Sequence, residues 1–397
     1  MMQTGRPNPY WIAKVINQFG LIPVKGDVFG PGSSVAGDIP TFADNTGKLL
    51  KDSGIPLQGI FSTQTAAAAA TIASTVSFVM TAGRAAVGDY GAALYKKVGG
   101  ASAGGFQSAD GQWWGLALTT VTPQMFGDCS GECHAAIQGA INYIGGINGG
   151  TVFFPGQTYL IDTTLNLTGT VILQGVASQG SLIQCNIDTT VLSCVTAGNC
   201  TTQDIFLYNS FATPTSNVLE IDSTTVAMTM RDCSVLGGVA AINIFATDCL
   251  FENVTATGNS FNVFSHGANW YLRCKLDNEL ASPVALFFQS TPVVAGKGQE
   301  NNLTMCDLSY SGAGTPNSVT INDGGGTLTA FTTFVGCVFS HPIVITSAKG
   351  SMFSACEVGS TTFSAGTSPT AVTGCWASTA IVVSGAGKVV SGCVNIT

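Results

Sequence analysis

Met230-Arg231-Asp232-Cys233-Ser234-Val235 opens a run of eight short segments built alike: an apolar residue, two spacers, a cysteine, a spacer and, in most, another apolar residue. The others are Ala246…Cys249…Phe251, Tyr271…Cys274…Leu276, Leu303…Cys306…Leu308, Phe334…Cys337…Phe339, Phe353…Cys356…Val358, Val372…Cys375…Ala377 and Val390…Cys393…Asn395. The last three steps between cysteines are 19, 19 and 18 residues, and the earlier ones 16, 25, 32 and 31. A loose period of about twenty residues marks a solenoid, in which each turn buries its apolar face against the next. Strand alternation turns the cysteine (position zero) and position +2 inward, and +1 and +3 outward. Position −3 is apolar as well, so the chain must bend between −3 and zero. Position −1 is Gly336, Gly374 and Gly392 in three turns and Asp232 and Asp248 in two others. These residue types tolerate the left-handed backbone of a tight corner. The fold expected is all-β: a right-handed, single-stranded parallel β-helix.

The composition agrees. Of 397 residues, 45% are hydrophobic, only 9% are charged and 49 are glycine. That excludes a charge-rich disordered chain and suits strands and turns covered by hydroxyls and amides. The formal net charge of −8 argues against a generalised basic surface for nucleic acid or for a membrane. A neutral, hydroxyl-rich partner such as a polysaccharide fits better. The opening MMQTGRPNPYWIAKVINQFG lacks the apolar core of a secretory signal, and residues 65–82 are Ala/Thr/Ser-rich and read as a packed helix, not a membrane span. Folding is therefore expected in a cytoplasm, with the thirteen cysteines mostly free and acting as small buried hydrophobes. Two alternatives stay open: a Cys194–Cys200 disulfide, and a metal at Cys129, Cys133 and His134, which lacks a second ligand pair at standard spacing. No cofactor or metal is expected.

Three stretches carry resemblances. GPGSSVAGDIPTFADNTGKLLKDSGI (residues 30–55) resembles amino-terminal segments of phage tail-fibre and tailspike proteins. GDYGAALYKKVGGASAGGFQSADGQWWGLA (residues 88–117) is similar to a small module that often precedes the large domain of phage tail proteins, with Leu94-Tyr95 and Trp113-Trp114 as anchors. FGDCSGECHAAIQGAINYIGGINGGTVFFPGQTYLI (residues 126–161) resembles the opening of the pectate-lyase-like β-helix family. In it Ile137, Ile141 and Ile144 line one face of a helix that can plug the open end of the solenoid. Asp128 or Ser130 can cap its start and Gly145-Gly146 can end it. Strands are expected at 151–154 and 159–161.

Together these resemblances imply a phage tailspike. The division they imply is a virion-attachment segment over 1–56, a helical linker and small module over 57–122, and a receptor-binding β-helix over 123–397. They also imply a homotrimer in the virion tail, assembled in the host cytoplasm and joined to other tail or baseplate proteins through the amino terminus. The chain runs to its end in rung pattern, without a separate carboxy-terminal trimerisation domain.

On the outward faces, Glu252 follows Cys249 at +3 and Asp277 follows Cys274 at +3, and Phe251-Glu252-Asn253 matches Leu276-Asp277-Asn278. If those turns are adjacent, the two carboxylates stand about 5 Å apart between backbones, with Glu279 close by. Glycoside hydrolysis uses two carboxyl groups about 5 to 9.5 Å apart. Glu252, Asp277 and Glu279 are therefore the candidate catalytic residues. The long turns predict protruding loops over 255–270 and 280–302, carrying His266, Trp270, Phe287 and Phe288. Trp270 and Phe288 can meet the apolar faces of sugar rings, while Arg273 and His266 can bind hydroxyl or acidic groups. An alternative is a stack of Asp232 on Asp248 beside Arg273. Glu220 and Asp222, at i and i+2 of a strand over 218–222, form a second-rank pair. Asp307 and Glu357 read as isolated and solvated. The functional reading is a spike that binds bacterial surface polysaccharide (lipopolysaccharide or capsule) and cleaves it as a glycosidase. The alternatives are a non-cleaving adhesin and a free polysaccharide lyase.

Overall fold

A computed structural model describes residues 59–195, 199–223, 227–265, 268–276, 300–308, 331–340, 351–359, 370–384 and 387–396. It adds the strands at 38–42, 50–56, 284–289, 317–322, 343–345 and 363–365. From residue 120 onward the chain winds as a right-handed parallel β-helix of three strands per turn. The turn Gly150–Phe153, Thr158–Ile161, Leu165–Leu167 is followed by Val171–Gln174, which lies in parallel register on Gly150–Phe153. Repetition builds a 12-stranded sheet, a 10-stranded sheet and a third face of two 5-stranded runs, joined through Lys275 by bridges to Thr255 and Asp307.

The corner between the 12-stranded sheet and the third face explains the repeated phrase. Asp204, Asp232, Asn253, Arg273, Met305, Gly336, Ala355, Gly374 and Gly392 all have φ between 50° and 64°. Through Gly374, each donates its N–H to a carbonyl of the next turn, as Asp232 does to Glu252 O (3.1 Å) and Gly336 to Ser354 O (2.9 Å). The following residue points inward: Cys233, Cys274, Cys306, Cys337, Cys356 and Cys375 are at most 1% exposed. The expected column is therefore present, with one correction. Ser234 pairs with Thr255, so the turn above Cys233 places Val254, not Cys249, at the corner. Cys249 begins the preceding strand, Cys249–Glu252, in register with Asn269. Its phrase matched because inward alternation is the same anywhere along a strand. The steps around it are then 21 and 20 residues, in keeping with the short later turns.

Left-handed corners favour glycine, and Ala355 is an exposed exception at φ 54°. Ala355→Gly is expected to stabilise the chain by about 0.5–1 kcal/mol, and Gly374→Ala, whose added Cβ meets open space, to destabilise it similarly. Equilibrium denaturation of the two variants checks this, the relief of strain being partly offset by the greater unfolded-state freedom of glycine.

Inside, the residues two before the corner stack turn on turn. Phe251 lies on Tyr271 (ring centroids 5.2 Å apart, 11° between planes) and Phe334 on Phe353 (4.6 Å, 6°). Along the same sheet Asn269, Asn301, Thr332, Ser351 and Thr370 form a buried polar column. The Asn269 side chain accepts the Cys249 N–H (3.0 Å), and the Asn301 side chain accepts the Asn269 N–H (3.2 Å). Cys194 and Cys200 both keep reduced, buried thiols, so the disulfide between them does not form. Burial pushes the Cys233 and Cys249 thiols up to about 12, keeping them neutral. The one disulfide among the described residues joins Cys129 to Cys133 and takes up the sulfurs that a metal would need.

The capping helix spans His134–Gly146 and buries Ile137, Ile141 and Ile144 completely. Its start differs from the expectation. Cys133 is the N-cap, without a side-chain bond, and Glu132 Oε1 accepts the His134 N–H, while Asp128 instead bonds Ser130. It ends on the glycine pair, as expected, with Ile147 as the C-cap and the chain reversing through Asn148 and Gly149 at positive φ. Ahead of it lies a five-stranded sheet whose core holds Tyr95, Phe106 and Trp114. The helix expected over 65–82 is only Gln64–Ala69, capped by the Thr63 hydroxyl; Phe78–Thr81 is a strand. Among the described residues no helix is long and apolar enough to cross a membrane.

Candidate functional site: an outward cluster on the 12-stranded sheet

The expected loop over 255–270 is not a loop. Thr255–Thr257, Phe261–Ser265 and Asn269–Leu272 are the three strands of an ordinary turn. Within 280–302, Val284–Gln289 is likewise a strand of the 10-stranded sheet. The 25-residue step was an artefact of counting from Cys249. Trp270 is thus carried by a rigid strand, in register with Leu250 on one side and Asn302 on the other. Its ring is 42% exposed on the outer face.

The neighbouring outward column contains Gln203, Arg231, Glu252, Leu272 and Thr304, each in register with the next. Consecutive turns lie about 4.8 Å apart, close enough for long side chains to meet. Arg231 Nε lies 3.2 Å from Glu252 Oε2, and Arg273 Nη2 donates to Glu252 Oε1 at 2.5 Å. Arg273 comes from the corner column, where Asn253 Nδ2 also donates to Asp232 Oδ1 at 2.6 Å. One carboxylate is held between two guanidinium groups, and the tryptophan lies one column away. Exposed ion pairs contribute about 0–1 kcal/mol each, so stability gives little reason for the arrangement. Both guanidiniums remain about half exposed, with further N–H groups to offer a ligand.

Of the predicted site residues, Glu252, Trp270 and Arg273 come together. The premise of the Glu252–Asp277 stack, adjacent corners at Cys249 and Cys274, is not met. Glu252 is in register with Arg231 and Leu272, whereas Leu276, which precedes Asp277, follows the corner on the third face. Asp277, Glu279 and His266 lie outside the described residues. Phe288 lies in the strand Val284–Gln289, in register with Ser265 and Ile321 on the 10-stranded sheet. Glu220 is also on that sheet, in register with Ser193 and Asn243, and Asp222 follows its strand. That pair is therefore on a different face from Trp270. Asp248 is not in the corner column, so it does not stack on Asp232. The carboxylate beside Asp232 is Asp204, one turn below.

Sequence reading missed Asp204, Arg231 and Asn253. The signal for them was the corner column itself, once Val254 replaced Cys249 in it. Burial, then the Asp232 charge, push the Asp204 carboxyl above its ordinary value. A raised carboxyl contributes stability that is complete below its unfolded value of 3.8 and is lost as pH rises through the folded value. Asp204→Asn keeps a residue suited to positive φ and removes the like charge. It is expected to raise the melting temperature at pH 7 by on the order of 1 °C and to change nothing near pH 3; a rise of equal size at both values would contradict the charge explanation.

No protein-family profile matches the chain, and no curated protein matches it. Solved structures do. The tailspike protein of Acinetobacter baumannii bacteriophage Fri1, described as a capsular polysaccharide depolymerase, aligns at a TM-score of 0.59 and 12% identity over 85% of this chain and 75% of that one. The tailspike of Acinetobacter phage vB_ApiP_P1 aligns at 0.60 and 12%, over 85% and 72%. The enzymatically active domain of tailspike protein 2 of bacteriophage CBA120 aligns at 0.61 and 10%, over 88% of this chain and 54% of that one. At such identities the likeness is one of fold: the β-helix of phage tailspikes.

Proposed function

We propose that this chain is a phage tailspike whose β-helix binds bacterial surface polysaccharide on the outer face of the 12-stranded sheet. The observation that carries this reading is Trp270, 42% exposed on a rigid strand beside Arg231, Glu252 and Arg273. An exposed indole offers an apolar face to a sugar ring, and the guanidinium donors offer directional bonds to its hydroxyl or carboxylate groups. Several proteins of the same fold are tailspikes, and one is described as a capsular polysaccharide depolymerase. In this reading the segment 1–56 attaches to the virion tail, the module over 57–122 joins it to the β-helix, and three copies assemble in the host cytoplasm.

Cleavage is a separate step. Both Glu252 oxygens are engaged by cations, and glycoside hydrolysis needs a second carboxyl group at about 5 to 9.5 Å. A hydrolytic role for Glu252 therefore requires a second carboxyl group within that reach. The test is chromatography of purified capsular polysaccharide or lipopolysaccharide O-chain from a susceptible host, before and after incubation. Short oligosaccharides that Glu252→Gln fails to release would support hydrolysis at this site. Unshortened polymer that is still retained by the protein would identify a non-cleaving adhesin. For binding, Trp270→Ala is expected to weaken retention of the polymer roughly tenfold. Unchanged retention would remove this face from the reading.

A further inference from the structure

We propose a second saccharide subsite on another face of the β-helix: a cleft that takes one neutral sugar ring against Tyr208 and Phe211. It extends the polysaccharide-binding reading above. The cleft encloses about 200 Å³ and is lined by Tyr208, Ser210, Phe211, Leu236, Gly237 and Asn259, among others. It sits where strands Phe206–Asn209 and Ser234–Gly237 turn toward the 10-stranded sheet.

The ligand class follows from the lining. Apart from the tyrosine phenol, no lining side chain is ionisable, so nothing there compensates a charged ligand. Rings form one wall: Tyr208 stacks on Phe206 with centroids 5.8 Å apart and 26° between planes. Asn259 supplies hydrogen-bonding groups at the edge, and the Ser210 oxygen, which donates to Cys185 O and accepts from Gln184 Nε2 (3.2 Å), keeps one lone pair to offer. A pyranose ring has the matching surface, an apolar C–H face and a hydroxyl rim. The volume admits one such ring and little more.

The cleft is built rather than incidental. Phe211 is 37% exposed, yet the turn bearing it is tied down at both ends. Asp188 accepts the Thr215 and Ser216 N–H groups (2.9 and 3.0 Å) and the Thr215 hydroxyl (2.5 Å). Those bonds, the Thr215 hydroxyl first, hold the Asp188 carboxyl below its ordinary range. At the other end Asn209, only 2% exposed, accepts the Phe211 N–H (2.9 Å) and donates to Thr189 O (2.8 Å). Ser210 donates to Cys185 O from both its N–H (2.8 Å) and its hydroxyl (3.1 Å). A phenylalanine that keeps over a third of its surface exposed on a pinned turn presents a fixed apolar face, and pre-organisation of this kind lowers the entropy lost when a ligand binds.

The test is saturation-transfer NMR with methyl glucoside and the methyl glycoside of N-acetylglucosamine, in a Trp270→Ala background so that any signal comes from elsewhere than the first face. Transfer to the ring C–H protons is expected, falling at least about fivefold on adding Phe211→Ser. Ala212→Trp, which fills the cleft without deleting a contact, is expected to give the same loss with an unchanged melting temperature. No transfer in the Trp270→Ala protein, or transfer untouched by both variants, overturns the subsite and leaves the polysaccharide reading standing. Transfer that depends on Phe211 in a protein that retains no host polymer would keep the cleft and overturn the wider reading.

Discussion

Phe353→Ala is expected to destabilise the β-helix by about 3–5 kcal/mol, the range for deleting a fully buried aromatic ring. Phe353 is 0% exposed, lies flat on Phe334 at 4.6 Å and meets Phe339 edge-on at 5.8 Å. Truncation therefore removes two ring contacts and leaves a hole between turns that cannot close, because the strand spacing is set by backbone hydrogen bonds. In a solenoid each turn contacts only its neighbours, so the damage should be local. Hydrogen exchange should accelerate in strands Phe331–Val335, Ser351–Ser354 and Thr370–Thr373 and hardly change around the capping helix. A uniform acceleration along the chain would mean that the β-helix unfolds as one cooperative unit.

Asn269→Leu is expected to cost about 2–4 kcal/mol although it keeps the branched shape of the side chain, because the polar column is a hydrogen-bond ladder. Asn269 is 0% exposed; its side chain accepts the Cys249 N–H at 3.0 Å and donates to Ser265 Oγ at 3.1 Å. Leucine leaves a buried N–H without its partner, a loss of about 1–3 kcal/mol, and removes the amide donor from the Ser265 hydroxyl as well. Asn269→Ala adds a cavity and should be worse. Asn301→Leu should cost a comparable amount, since the Asn301 side chain accepts the Asn269 backbone N–H at 3.2 Å. If leucine is tolerated and only alanine destabilises, packing rather than hydrogen bonding holds the column.

These two columns separate what a pattern in sequence can carry from what it cannot. The inward cysteines and the apolar residues three places before them were legible because they recur, and recurrence survives unequal turn lengths. The polar column was not legible: an isolated Asn, Thr or Ser in a strand looks the same facing water as facing a neighbour's N–H. Registration failed at one place for a similar reason. Cys249 and Phe251 alternate inward as a corner pair would, so the Ala246…Cys249…Phe251 phrase passed for a turn and moved Glu252 onto the wrong column. The proposed Glu252–Asp277 stack and the protruding loop over 255–270 both came from that single shift. Trp270 and Arg273 stayed beside Glu252 because all three lie within two turns, whatever the register. The Tyr208–Phe211 cleft went unnoticed because it is assembled from two strands and a turn pinned by Asp188, whose bonds to Thr215 and Ser216 span 27 and 28 residues.

The sequence by itself determined the architecture: a repeating inward phrase, glycine or aspartate at the corner, and an amphipathic helix to close the first turn, all of them consequences of local geometry and apolar burial. Only the tertiary structure decided which side chains meet on the outside. Neighbours on a β-helix surface are set by register between turns some twenty or more residues apart. One misplaced corner there changes the outward pairings of its own turn, while leaving the inward pattern intact.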